Sequence, residues 1–449
     1  MNDSRFIQNT AFLIIVMVIF QPAYAQEEDT VKKEGLQVER LKYEQQPGLA
    51  LAASKIFFSE KRYSISGFGE ASFVNYHGPK NDLSGDLELY YTNLYRFATF
   101  FGYRFSDKLI WNSELQIEYL HDGDREAHAE FLFEAFLDYL WRDYLKVRFG
   151  YFPLPIGYVN NNDEPVMFYS VNRAEVERLI TPTTWIEFGA MFYGNITRDL
   201  SYSLGVSQGL NAAGYLSGTW IRQGREITFG IPKSLSLSPK FIYNGIPNLS
   251  LSVSGFFGDS GQERVISREG EERTVNAPVR IGTGYAKYET GKWRIVAIGT
   301  TGSLGNTADI FQLSYDETGT AQIMGDKTYG YLFELGHDIL PYFKKRKEEK
   351  SGFLYHTGEF KLPVFLRFER LDTHFRYNEG LIPPQGPTIF PIRHQLTHND
   401  LRIWTIGANF NLKENIVLKG NYQFRKNLNT GPGSFEEGDR LEFGFGFIF

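Results

Sequence analysis

Between Leu109 and Leu120 apolar and polar residues alternate. Leu109, Trp111, Leu115, Ile117 and Tyr119 occupy one parity, and Asn112, Glu114, Gln116 and Glu118 the other. The next segment repeats the pattern: Ala129, Phe131, Phe133, Ala135, Leu137 and Tyr139 oppose Glu126, His128, Glu130, Glu134 and Asp138, interrupted by Leu132 and Phe136. Successive strand residues point to opposite faces, so each segment is a strand with one apolar and one acidic face. A half-buried soluble sheet also alternates. These strands, however, run to about ten residues or more, the length that crosses a bilayer at a tilt, and Tyr and Trp rim their apolar faces like an interfacial girdle. Asn93 is an exception on the apolar parity of its strand.

Composition agrees. The 449 residues include 39 Phe, 27 Tyr and 44 Gly, with a mean hydropathy of -0.31, a balance of strand formers and turn formers. A formal charge of -6 gives no general attraction to nucleic acid. At the N-terminus, Arg5, the apolar run Ala11 to Phe20 and Ala23-Tyr24-Ala25 read as a signal peptide over residues 1–25, cleaved before Gln26. That run is too short for a spanning helix, and no later stretch reaches the 18 apolar residues one needs. The absence of Cys excludes disulfides, thiolate metal sites and a Cys-linked lipid anchor. Residues 26–61 are polar and mixed in charge, and read as a periplasmic extension with room for one short helix.

From residue 62 to 449 the pattern predicts an all-β fold, a transmembrane antiparallel barrel of about sixteen strands. The strands are expected near 62–76, 86–104, 107–121, 126–141, 144–153, 184–195, 199–208, 236–243, 248–258, 279–289, 292–301, 328–338, 362–374, 400–411, 414–426 and 438–449. Short periplasmic turns alternate with long external loops around 154–183, 209–235, 259–278, 302–327, 375–399 and 427–437, as outer-membrane barrels require. The long charged connection 339–361 breaks that rule, and Pro239 weakens the 236–243 strand because it removes a ladder hydrogen bond. The chain ends on RLEFGFGFIF, with Leu441, Phe443, Phe445, Phe447 and Phe449 on one parity. In a soluble protein such a strand would be an aggregating edge. In a closed barrel it pairs with the first strand and faces lipid.

Two segments, RFGYFPLPIGYVNNNDEP (148–165) and VNRAEVERLITPTTWIEFGAMFYG (171–194), resemble the phosphate-selective porin O and P family. FLRFERLDTHF (365–375), IWTIGANFNLKENIVLKGNYQF (403–424) and YLFELGHDIL (331–340) are similar to further strands of that family. The resemblance implies a sixteen-stranded homotrimeric outer-membrane porin with a loop folded into the lumen. An alternating last strand ending in Phe also resembles the signal that the outer-membrane insertion machinery recognises, here carried by Phe445, Phe447 and Phe449.

The residues themselves point to a charged pore. Glu114, Glu118, Glu130, Glu134 and Asp138 form an acidic lumen wall, and the basic lumen candidates are Arg96, Lys146, Arg148 and Arg367. A carboxylate ring favours cations and a basic ring anions. The long loop after residue 153 is expected to supply a constriction from Asn160, Asn161, Asn162, Asp163, Arg173, Glu175, Glu177 and Arg178, which with Lys146 and Arg148 opposite the acidic wall would set a transverse field across the pore. His121, Asp122, Asp124 and His128 fit no known metal-ligand spacing and read as a solvated loop. No framed nucleophile is present, so no enzyme and no cofactor are expected. The reading is a porin that passes small hydrophilic solutes or ions passively across the outer membrane of a Gram-negative-type bacterium, embedded in outer-membrane lipid. The alternatives are a channel selective for phosphate or another small anion, and a non-conducting barrel acting as adhesin or receptor. A lumen filled by side chains or plugged by residues 26–61 would mark the last of these.

Overall fold

A computed structural model describes residues 44–78, 93–121, 127–225, 233–268, 270–343, 360–382 and 393–449. The signal segment, residues 26–43, the core of the HDGDREAH connection and most of the 339–361 connection lie outside them.

Sixteen strands close into one antiparallel barrel in strict sequence order. They are β1 Tyr63–Tyr76, β2 Asn93–Arg104, β3 Leu109–His121, β4 Ala127–Arg142, β5 Leu145–Pro153, β6 Ile186–Asn195, β7 Leu200–Gln208, β8 Leu235–Ile246, β9 Leu249–Asp259, β10 Pro278–Glu289, β11 Trp293–Leu304, β12 Gly325–Asp338, β13 Pro363–Tyr377, β14 Asp400–Lys413, β15 Ile416–Asn427 and β16 Arg440–Ile448. All sixteen expected strands are present. The weak one, β8, contains Pro239 and pairs with both neighbours. Its ladder to β9 passes from Leu237↔Phe257 to Lys240↔Ser254, so the residue without an N–H falls where that ladder is broken.

The terminal strands pair as the period-two pattern requires. Phe73 lies opposite Phe443 and Ala71 opposite Phe445, and Phe449 and Gly67 exchange backbone hydrogen bonds at 2.9 and 3.0 Å. The apolar parity faces outward all round: Phe97, Leu115, Phe131, Phe149, Val253, Phe333, Trp404, Phe424 and Phe443 are exposed. An apolar exterior this continuous is stable only in lipid, and no described helix is long and apolar enough to cross a membrane.

The long loops are folded rather than splayed. A hairpin (Val265–Arg268 with Glu271–Thr274) packs near the helix Thr307–Thr318 through Arg268 Nη1 and Asp309 Oδ1 at 3.0 Å. Ser217 N donates to Gln322 Oε1 at 2.9 Å, and Asn399 Nδ2 to Gly218 O at 2.7 Å. Four loops thereby meet at the loop end of the barrel.

Candidate functional site: the filled lumen

Residues 154–185 leave β5, enter the barrel and return to β6. Two glycines in β16 make room for the loop. A Cβ on Gly446 would stand 2.3 Å from Pro165 Cβ, and one on Gly444 3.1 Å from Val171 Cγ1. This explains the Gly between the phenylalanines of the last strand: the Phe parity faces lipid and the Gly parity admits the loop.

A set of cations on the far wall holds the loop. Lys240 Nζ donates to Gly157 O at 2.8 Å. Arg294 Nη2 donates to the Tyr158 hydroxyl at 2.8 Å and to Met167 O, with its guanidinium over the Tyr169 ring. Lys419 Nζ donates to Phe168 O and Ser170 O at 2.8 and 2.9 Å. Arg367 donates to the Ser170 hydroxyl and pairs with Glu369 at 2.8 Å; Glu369 in turn accepts from Val176 N at 3.2 Å. Within the loop, the short helix Glu175–Leu179 presents Glu175 to Arg178, to Arg425 at 3.0 Å and to Arg440 at 3.4 Å. Each of these charges is buried, so each needs such a partner.

Residues 44–58 occupy the other side of the lumen. Ala52 O accepts from the Ser66 hydroxyl of β1, and Ala53 O from Asn112 Nδ2 of β3 at 2.7 Å. Arg148 Nη1 donates to Pro47 O at 3.2 Å while its Nε holds both Asp138 oxygens at 3.1 and 3.2 Å. Ala52 N donates to Glu164 Oε1 at 2.7 Å, which joins this segment to the loop. Leu49, Ala52 and Ile56 are fully buried.

The sequence-predicted residues fall as follows. Arg96 is bound by Glu70 at 2.7 Å and Asp163 at 3.1 Å. Arg173 reaches Asp163 and Thr184. Asn160, Asn161 and Asn162 turn onto the loop's own backbone: Asn160 Nδ2 donates to Leu154 O at 2.8 Å and its Oδ1 accepts from Trp185 N, Asn161 Nδ2 donates to Leu154 O, and Asn162 Nδ2 to Tyr158 O. Glu177 accepts from Tyr158 N and from Val159 N. Lys146 lies one row nearer the short-turn end than Arg148, its Nζ 5.9 Å from the Tyr193 ring. Glu114 and Glu134 face a cavity of about 20 Å³, lined also by Gln116, Asn160 and Asp163; that volume holds about one water. Glu118 is buried and Glu130 is exposed.

Two expectations change. The basic lumen residues are more numerous than Arg96, Lys146, Arg148 and Arg367, because Lys240, Arg294, Lys419, Arg425 and Arg440 also point inward. Their parity was readable: Lys419 and Arg425 alternate against exposed Leu418 and Phe424. The extension placed in the periplasm by its polarity instead puts residues 47–56 inside the barrel, because Ala and Leu there pack against the wall while backbone carbonyls satisfy wall donors.

Burial pushes the Glu177 carboxyl up to about 7, against the lowering effect of its two backbone donors and Lys240. A carboxyl with a raised folded-state value contributes stability that is complete below its ordinary range and is lost as pH rises through about 7. Glu177→Gln is therefore expected to flatten the fall in thermal stability between about pH 5 and about pH 8. Melting curves of the folded barrel across that range check it, and an unchanged slope would assign the dependence elsewhere.

No protein-family profile matches the chain. An uncharacterised protein of Aquifex aeolicus (strain VF5) is 26% identical over 388 residues, covering 85% of this chain and 79% of that protein. Among solved structures, OmpT, an outer membrane protein of Vibrio cholerae, aligns with a TM-score of 0.47 at 8% identity, over 86% of this chain and 97% of that one. An anion-selective porin from Comamonas acidovorans aligns with a TM-score of 0.46 at 12% identity, over 86% and 99%. OprB of Pseudomonas putida aligns with a TM-score of 0.45 at 10% identity, over 88% and 96%.

Proposed function

We propose that this chain is an outer-membrane channel of porin type, passing small hydrophilic or charged solutes without a cofactor. Loop 154–185 forms its constriction and residues 44–58 narrow it further. The observation that carries this reading is the two-faced wall: apolar outside, and lined inside with Glu114, Glu134, Asp138, Arg148, Lys240, Arg294, Arg367 and Lys419. A barrel of sixteen strands is wide enough to leave an aqueous channel, and a wall of this polarity is what water and ions require. Carboxylates dominate the inner face of β3 and β4, whereas β8 to β16 mix the cations Lys240, Arg294, Arg367, Lys419, Arg425 and Arg440 with the acids Glu334, Asp338, Glu369 and Glu442. Solute would therefore cross between an acidic wall and one of mixed charge.

The same filling favours a second reading, a non-conducting barrel that presents its folded loops to a partner. Here Arg148, Asp138 and Glu369 are almost without exposure, and the carbonyls of 47–53 satisfy wall donors.

Planar-bilayer recording of the refolded protein in a KCl gradient separates them. Stepwise ohmic conductance is expected. A cation-selective reversal potential would assign the path to the acidic wall. Anion preference blocked by phosphate would assign it to the cations around the loop, the selectivity that the family resemblance implies. A folded barrel with no conductance would overturn the channel in favour of the second reading. The homotrimer that the resemblance implies is checked by cross-linking in the same preparation.

A further inference from the structure

On the outside of β13, β14 and β15, three cations lie in one row. Arg370 is the register partner of Arg402, and Arg402 of Lys426. All three fall on the lipid-facing parity, with exposed Leu366, Trp404 and Phe424 below them on the same strands. Directly opposed side chains stand about 5 Å apart at Cβ, and like charges so placed repel. Asp400 pairs with Arg370. Among the described residues no carboxylate pairs with Arg402 or Lys426. The nearby Asp439 is occupied by the Tyr422 hydroxyl and Arg425 N.

The row sits two residues toward the loop end from Phe368, Trp404 and Phe424. The Phe368 and Trp404 rings are 4.5 Å apart, and Trp404 is the register partner of Phe424. The surface thus changes over one strand repeat from an aromatic shelf to a pair of uncompensated cations. At the bilayer centre such cations would be costly, but the cost almost vanishes near the interface. We infer that Arg402 and Lys426, with Arg370 beside them, bind the phosphate of an outer-leaflet lipid whose acyl chains lie on Phe368, Trp404 and Phe424. A phosphate takes two or more charge-assisted hydrogen bonds from such a row and removes the repulsion within it. The aromatic shelf below supplies what a free anion would not use. This site is outside the lumen and holds whether or not the barrel conducts.

The test uses the full-length refolded protein and its Arg402→Gln/Lys426→Gln form in nanodiscs. The discs contain phosphatidylcholine alone, phosphatidylcholine with lipid A, or phosphatidylcholine with dephosphorylated lipid A. Bound lipid is read by native mass spectrometry, and thermal stability by the temperature at which the barrel loses its compact electrophoretic mobility. Lipid A is expected to be retained by the wild type about tenfold more than by the double variant, as the loss of two solvent-exposed ion pairs implies. It should raise the melting temperature of the wild type and leave that of the double variant unchanged. Arg280→Gln, on the exposed outer face of β10, should behave as wild type. Equal retention by the double variant, or an equal loss in Arg280→Gln, overturns the site. Protection in detergent by inorganic phosphate alone, without preference for the lipid, overturns the lipid as its source. A changed oligomeric state with lipid retention intact overturns the proposal in favour of contact between copies.

Discussion

Deleting residues 44–58 is expected to raise single-channel conductance on the order of tenfold, toward that of a water-filled sixteen-stranded pore. The segment contributes no strand, so the wall's hydrogen-bond ladder is left intact. The wall groups it satisfies lose their protein partners: Ser66 loses Ala52 O, Asn112 loses Ala53 O, and Arg148 loses Pro47 O. They lose them into water, which can replace each bond. Arg148 also keeps Asp138, whose other partner is the Tyr193 hydroxyl at 2.6 Å. The barrel should therefore still fold, which the compact electrophoretic form would show. Conductance that stays at the wild-type level in a folded deletion would place the whole occlusion on loop 154–185. Conductance that never appears, in the deletion or the full chain, would leave only the non-conducting reading.

Glu175→Gln should detach the loop from the far wall. Burial by itself raises the Glu175 carboxyl, but Arg178, Arg425 and Arg440 more than offset this and hold it below the usual carboxylate range. The carboxylate is therefore charged in the closed loop and is the shared partner of three arginines. Its neutral replacement leaves Glu437, 2.9 Å from Arg425, and Glu442, 3.5 Å from Arg440, as the nearby acids. Removing one member of a buried charge network costs about 3–5 kcal/mol, and the remaining acids put this case at the low end. The expected result is a lower unfolding temperature together with noisier, larger current steps. Glu175→Asp should recover part of both. A Glu175→Gln protein as stable and as quiet as wild type would mean that Lys240, Arg294 and Lys419 hold the loop without it.

Much of the architecture was legible because a barrel in lipid leaves little freedom. Every strand must alternate, every edge must pair, and the connections must alternate in length. That is why β3 and β4 could be recognised from Leu109 to Tyr139, and why the alternating Phe443, Phe445 and Phe447 suit a strand that pairs with β1. Parity also assigned Arg148, Arg367 and Glu134 to the interior. It would have assigned Lys419 and Arg425 had it been carried through KGNYQFRK, and Lys240 was obscured by the Pro beside it.

The partners of those interior residues were not legible. A lumen-facing arginine satisfied by water, by a neighbouring carboxylate or by a distant carbonyl has the same local sequence. Arg148 meets Pro47 across 101 residues, and Lys419 meets Phe168 across 251. Residues 44–58 are polar and apolar in a mixture that suits a linker as well as a plug. Local periodicity, set by the bilayer, therefore determined the barrel, its strands and the direction of each side chain. Tertiary structure alone decided that residues 44–58 and loop 154–185 lie inside the barrel, because that depends on which buried donors and acceptors meet once the wall has closed around them.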